Sequence, residues 1–260
     1  MNLPVEVIEA ARKDQCVVFL GNRASLEAAE LAVAAYPEQK DLAKSLGWKR
    51  SPTAVGKKGI VPSVEEGAAA TERSIGRAGL LAKLQALAVA DVAPTVAHSL
   101  LARRFPLVFT TNYDDLLERA AAAASVPVDV MGRQSPLPPV EKGRLLLYHL
   151  RGELSRPDTV LATAADYAAR PLGAELKKQL RLLIRQRVIL FVGFRPDEEE
   201  FERLFSELSD AYGGELPRCH LAVAQGPIDD FLWQKWVWRG LLMFTADPVE
   251  CLTALEAGLG

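Results

Sequence analysis

Short apolar runs alternate with longer stretches of helical periodicity, the pattern of βαβ units feeding a parallel sheet. The run CVVFLG, Cys16 to Gly21, predicts a buried strand, preceded by an amphipathic opening helix in PVEVIEAARKD. SLEAAELAVAAY predicts the next helix, with Ser25 as its N-cap. From about Gly47 to Gly79 the periodicity loosens into a mixture of Gly, Pro and charge, which predicts an insertion or lid at 47–79. Helices through LLAKLQALAVA and TVAHSLLARRF lead to a second strand, PLVFTT, and a helix in NYDDLLERAAAAA. After a Pro-rich loop, RLLLYHL predicts a strand and TAADYAARP a helix. In ELKKQLRLLIRQR the residues Leu176, Leu180, Leu183 and Ile184 share one face. VILFVGF predicts a fully buried strand, and Phe201, Leu204, Phe205 and Leu208 form the inner stripe of the following helix. The strands CHLAVA and LLMFTA, an aromatic helix between them and a closing helix complete the pattern. The predicted fold is an α/β Rossmann-like parallel sheet with helices on both faces, one domain over 1–260, and a small excursion after the first βα unit.

Composition narrows the functions compatible with this pattern. With 260 residues, 49% hydrophobic and 25% charged, the chain can bury an ordinary globular core. A net charge of −2 gives no global basic field, which argues against nonspecific nucleic-acid or membrane-surface binding. MNLPVEVIEAARKDQ does not read as a signal peptide, and the apolar runs are too short to span a bilayer, so the expectation is a cytoplasmic protein. Cys16, Cys219 and Cys251 form no C-x-x-C pair and are expected as reduced core thiols.

Candidate chemistry gathers at three strand-to-helix turns. In an open parallel sheet, ligands bind beyond the carboxyl ends of the strands. Three such ends carry polar residues: Gly21-Asn22-Arg23-Ala24-Ser25, Thr110-Thr111-Asn112-Tyr113-Asp114 and Gly193-Phe194-Arg195-Pro196-Asp197. Backbone N–H groups there suit phosphate and short polar side chains suit ribose. Each turn alone is equally a tight turn or a helix cap.

Taken in order, VVFLGNRAS, FTTNYDDLLE, LYHLRGEL and VILFVGFRPD resemble the motifs of the sirtuin-like domain family, in its prokaryotic branch that lacks a zinc ribbon and is often found in antiviral defence. The resemblance runs from about Cys16 to Phe205. It implies a pocket for nicotinamide adenine dinucleotide (NAD) or ADP-ribose and cleavage of the nicotinamide–ribose bond, with no metal. By that resemblance Gly21, Asn22, Arg23 and Ser25 belong to the phosphate loop. Thr111, Asn112 and Asp114 line the nicotinamide and ribose side, and Gly193 lies under the nucleotide. Asn112, Asp114 and His149 are the catalytic candidates.

Two departures bear on the chemistry. The family's G-A-G is Gly21-Asn22-Arg23 here, so a guanidinium stands where a second glycine lets the backbone approach pyrophosphate. The family's L-H-G is Leu150-Arg151-Gly152, and arginine cannot exchange a proton near neutral pH. His149 lies two residues earlier; if the strand continues, it shares a face with Arg151 about 6–7 Å away. At the third turn Phe194-Arg195 replaces the family's Tyr-Ser, and Glu198, Glu199 and Glu200 suit a helix N-terminus better than a phosphate.

The remaining candidates have ordinary readings. His98 is expected as a packed or capping residue and His220 has no assigned role, so the three histidines predict no metal site. Lys177, Lys178, Arg181, Arg185 and Arg187 predict a solvated helix face. Trp233, Trp236 and Trp238 are expected in the core under the last strand, or at an oligomer or partner contact. The expected function is a catalytically degenerate module that binds a nucleotide or a protein partner. The alternative is an active NAD glycohydrolase triggered by a partner or by assembly. Without zinc cysteines and the family's histidine, deacylation is disfavoured.

Overall fold

The structure is a computed structural model that describes residues 3–25, 45–46, 64–87, 92–223 and 228–259. Seven parallel strands form one sheet in the order β3-β4-β2-β1-β5-β6-β7. They are β1 (Cys16–Leu20), β2 (Leu107–Thr110), β3 (Val128–Gly132), β4 (Leu145–His149), β5 (Val188–Val192), β6 (Cys219–Val223) and β7 (Leu241–Thr245). β1 is central, with β2 on one side and β5 on the other. The turns after these three strands therefore meet where the strand order reverses, the usual place for a ligand crevice.

Helices cover both faces. On one face α1 (Val5–Arg12), α3 (Val96–Arg104), α4 (Leu116–Ala123) and α9 (Pro248–Leu259) pack against Val18, Leu20, Val108, Leu147 and Leu190. On the other, α6 (Ala174–Gln186), α7 (Glu199–Tyr212) and α8 (Asp230–Trp238) pack against Phe19, Phe109, Tyr148 and Phe191. Alternate residues of β1 and β5 serve opposite cores, and for this reason these strands read as continuous apolar runs. The predicted stripes of α6 and α7 are buried at Leu176, Leu180, Ile184, Phe201, Leu204, Phe205 and Leu208.

One aromatic row supports the crevice from below. Tyr148, Phe109, Phe19 and Phe191 are register partners on four adjacent strands. Phe19 stacks on Phe109 with centroids 4.7 Å apart, and Tyr148 and Phe191 follow at 5.0 and 5.4 Å. Each ring excludes water from the layer beneath the strand ends, and such pairs add about 0.5–1.5 kcal/mol beyond area burial.

Several expectations change. Residues 128–132 form a strand that the sequence pattern did not reveal. It is an edge strand with no fully buried position, so its apolar signal is broken by Asp129 and Gly132. The first βα helix starts at Arg23, so Ser25 lies inside its first turn and is not an N-cap; the rest of SLEAAELAVAAY lies outside the described residues. Of the expected insertion at 47–79, residues 47–63 lie outside the described residues, whereas 64–79 are helical. They belong to α2 (Val64–Leu87), which is broken at Gly76 with φ 75°. Val64, Ala68, Leu80 and Leu84 of α2 pack with Val160 and Ala162 in a small third core. The tryptophans also separate. Trp236 is fully buried against Phe201 and Phe205, but Trp238 is 73% exposed, because two positions along a helix turn it to the opposite side. All three cysteines are free and buried, as expected, and burial pushes each thiol up to about 12. Among the described residues no helix is long and apolar enough to cross a membrane.

Candidate functional site

The crevice is built from the polar ends of β1, β2, β4 and β5. Gly21 and Gly193 form its floor by packing backbone to backbone. Gly21 N–H donates to Val192 O at 2.9 Å and Arg23 N–H to Gly193 O at 3.0 Å. A Cβ on Gly21 would lie 2.5 Å from Gly193 O, and Gly193 itself has φ +77°. Ala24 N–H and Ser25 N–H donate to Gly21 O and Asn22 O. Four amides of the predicted phosphate loop are therefore engaged within the protein. Phe194, where the family has tyrosine, seals the floor from below and is buried.

Thr110 and Thr111 tie β2 to β1, since both hydroxyls donate to Leu20 O, at 3.2 and 3.4 Å. Thr110 Oγ1 in turn accepts Asn112 N–H at 3.0 Å, fixing the position of the asparagine. Ser25, Asn112, Asp114 and His98 converge above this junction. Asn112 Nδ2 donates to Ser25 Oγ, and Ser25 Oγ–H donates to Asp114 Oδ2, each at 3.1 Å. His98 Nδ1 accepts Thr95 N–H at 3.2 Å in the capping box of α3. That bond assigns its proton to Nε2, which lies 3.4 Å from Ser25 Oγ. Burial lowers the His98 pKa, keeping the ring neutral, with only the charge of Asp114 opposing. His98 is thus a capping histidine, as predicted, and also a member of the Ser25 cluster, which the sequence did not reveal. Asp114 has a second role as well, accepting Leu116 N–H at 3.2 Å at the start of α4.

His149 and Arg151 do not share a face. β4 ends at His149 and the chain turns through Leu150 and Arg151, so the two side chains diverge. His149 Nδ1–H donates to Asn112 O at 3.1 Å, and Nε2–H donates to Glu118 Oε1 at 2.9 Å. Burial alone would lower its pKa, but the hydrogen bond and charge of Glu118 outweigh burial and raise it. Both ring nitrogens face acceptors, an arrangement that favours the doubly protonated ring. A doubly protonated histidine has no lone pair for base catalysis.

Arg151 enters the crevice from the other side. Its Nη1 lies 3.0 Å from Glu200 Oε2, both side chains are less than 10% exposed, and its guanidinium stacks 4.7 Å over the Tyr113 ring. Tyr113 is anchored by its hydroxyl donating to Leu161 O at 2.5 Å. A cavity of about 10 Å³, room for one water molecule, lies beside Thr111, Leu150, Arg151 and Glu200. Gly152, the last residue of the L-R-G motif, has φ +79° and touches the Thr159 backbone, which positions Arg151 tightly. Arg23 lies over the first turn with Nε 3.8 Å from Glu198 Oε1. Burial, reinforced by the charge of Glu200 and opposed by Arg23, pushes Glu198 up to about 8. Asn22 is half-buried at the rim.

Among the described residues, side chains of metal-ligating type meet at one point. Glu118, His149 and Glu153 bring one ligand atom each within 4.8 Å of one another. These donors already have partners, Glu118 on His149 and Glu153 on Ser155 and Arg156. Glu118, Glu198 and Glu200 were not recognisable as site residues from the sequence. Each reads as a helix acid, and only the packing of α4 and α7 onto the strand ends reveals its partner.

The geometry can be set beside known proteins. The family model described as "SIR2-like domain" matches residues 106–238. "NAD(+) hydrolase ThsA" of Acinetobacter baumannii (strain 532279) is 30% identical over 119 residues, 44% of this chain. The match spans only 24% of that relative's length. The solved "Crystal structure of a Sir2 homolog-NAD complex" superposes with a TM-score of 0.55 at 13% identity, over 100% of this chain and 96% of the other. A structure described as "Structural Basis for the Mechanism and Regulation of Sir2 Enzymes" gives 0.51 at 15% identity, over 97% and 95%. At these identities the superpositions establish the fold, a Sir2-type Rossmann-like sheet. With more than half its residues matched by the family model, the chain belongs to the SIR2-like domain family.

Proposed function

We propose that this chain is a catalytically degenerate sirtuin-like module, which binds NAD or ADP-ribose weakly or acts through a protein contact, and does not cleave NAD. The observation that carries the reading is the buried Arg151–Glu200 pair, with Arg151 standing where the resemblance puts the family's catalytic histidine. A dinucleotide needs free amides after β1 for its pyrophosphate and open volume beside Asn112 for its nicotinamide end. Here the Gly21, Arg23, Ala24 and Ser25 amides are engaged within the protein and the Arg151 guanidinium lies buried against Glu200, which weighs against tight NAD binding. His149 is a poor substitute base, because Glu118 and Asn112 O favour the form that carries both protons. A place in antiviral defence, with a protein partner or homo-oligomer, belongs to the same proposal and rests on the resemblance.

One observation favours the second reading, an NAD hydrolase triggered by a partner or by assembly. Asn112 Oδ1 is buried and accepts no hydrogen bond among the described residues, which leaves one acceptor aimed into the crevice for water or a ribose hydroxyl. On that reading the trigger would have to open the Arg151–Glu200 pair. The deciding assay incubates the protein with millimolar NAD and follows free nicotinamide by chromatography. The degenerate reading expects no release above the uncatalysed rate. Steady release that disappears in Asn112→Ala would overturn it. A rise in melting temperature with NAD or ADP-ribose separates a nucleotide binder from a module that works through surface contacts.

A further inference from the structure

A large cavity lies at the other end of the sheet. It has a volume of about 750 Å³ and is lined by the starts of β1 and β2, including Cys16, Val17 and Leu107. The crevice described above begins beyond Leu20 and Thr110, roughly 13 Å away along the strands. Phe105, Leu107, Val126 and Leu183 give the cavity an apolar floor.

Its rim is basic in a chain whose net charge is −2. Arg12, Lys13, Arg103 and Arg104 project from one side, and Lys142, Arg144 and Arg187 from the other, against a single lining acid, Asp14. Helix ends explain part of this pattern, because α1, α3, α6 and α9 all finish here and cations in a last turn offset the helix dipole. Four such termini carry about 2 negative charges in total, which is less than the seven cations of the rim. Carboxylates offset more of it. Glu256 pairs with Arg103 and Arg104, and Asp129 and Glu141 pair with Arg144. Counting Asp14 with these three acids, three basic groups remain in excess. Lys13 and Lys142 are exposed and have no acidic partner among the described residues. Lys142 comes from the loop before β4, not from a helix terminus, so no dipole accounts for it.

We propose that this cavity is a binding site for a phosphorylated nucleoside, distinct from the family's crevice. The apolar floor takes the base and the lysine rim takes the phosphates. A volume of about 750 Å³ lies within the range of small-molecule pockets and admits a nucleoside diphosphate. The exposed Lys13 and Lys142 supply the positive charge that faces its diphosphate group.

Calorimetric titration of the protein with ADP tests the site, with adenosine and inorganic pyrophosphate as the two halves of the probe. The expected result is saturable ADP binding, at least about tenfold tighter than either half. Lys13→Glu combined with Lys142→Glu should weaken ADP by a similar factor; both side chains are exposed, and an unchanged melting temperature confirms the fold. Asn112→Ala, in the distant crevice, should leave ADP binding unchanged. The proposal is overturned if ADP gives no binding at millimolar concentration, or if the double variant binds as tightly as wild type. Loss of ADP binding in Asn112→Ala, or pyrophosphate binding as tightly as ADP, overturns it equally.

Discussion

Arg151 and Glu200 show how two buried charges at the strand ends depend on each other. The Arg151 guanidinium and the Glu200 carboxylate are both removed from water, and each is tolerated because the other is 3.0 Å away. Removing one partner leaves the other as an uncompensated buried charge, a loss of about 3–5 kcal/mol, whereas replacing both by apolar groups is near neutral. Arg151→Ala should therefore lower unfolding free energy in urea by about that amount. Arg151→Met with Glu200→Leu should restore most of it. If the single and double variants are equally destabilised, the two buried charges do not depend on each other. Arg151→His is informative in another way, because it returns a proton-exchanging group to the family's position while leaving Glu200 to pair with it.

The elements meeting at the crevice are held by close backbone contact more than by side chains. Gly21 and Gly193 bring the β1 and β5 turns within backbone hydrogen-bonding distance, and Gly152 does the same for the turn after β4. Gly152→Ala should be among the most damaging small substitutions. It combines a left-handed φ of +79° with a Cβ placed 2.2 Å from Thr159 O, a loss expected at about 2–4 kcal/mol. Gly143→Ala is the control. It shares a positive φ, +80°, but meets nothing within 4 Å, so it should cost only the conformational penalty of about 1–2 kcal/mol. Equal losses in urea melts of the two variants would remove the argument for tight packing at Gly152. The same contrast explains what was legible in the sequence. β1, β2, β4 and β5 read correctly because burial on both faces leaves long apolar runs. β3 and the first half of α2 did not, since an edge strand with Asp129 and a helix broken at Gly76 lose their periodicity. The polar strand ends were visible as motifs, but their partners were not. Glu118 and Glu200 lie on helices whose approach to the sheet depends on tertiary packing, and His149 parts from Arg151 only because β4 stops where it does.

At the scale of the whole molecule, the carboxyl end of the sheet collects buried ionisable groups, which ties global stability to pH. His149 and Glu198 both have folded-state pKa values above their ordinary 6.5 and 4.5. Burial works against the His149 cation but Glu118 more than compensates, whereas burial itself, helped by Glu200, raises Glu198 to about 8. In both cases the folded state holds a proton more tightly than the unfolded chain. The stabilising contribution is therefore complete below the unfolded value and is lost as pH rises through the folded one. For His149 the loss begins near pH 6.5, and for Glu198 it runs from near 4.5 to about 8. Asp166, Asp197 and Glu202 act in the opposite direction, because hydrogen bonds and cationic neighbours outweigh burial and lower their pKa values. Their contribution falls away only in acid. Comparison with variants isolates the alkaline limb. The stability advantage of wild type over His149→Gln should shrink between about pH 6 and pH 9, by no more than about 1.4 kcal/mol per pH unit for one proton. Glu198→Gln, which mimics the protonated acid, should match wild type near pH 5 and exceed it above pH 8. Denaturant titrations across that range provide both measurements. A His149→Gln gap that does not change with pH would mean the ring is not held as a cation, and would restore a free ring nitrogen to the crevice.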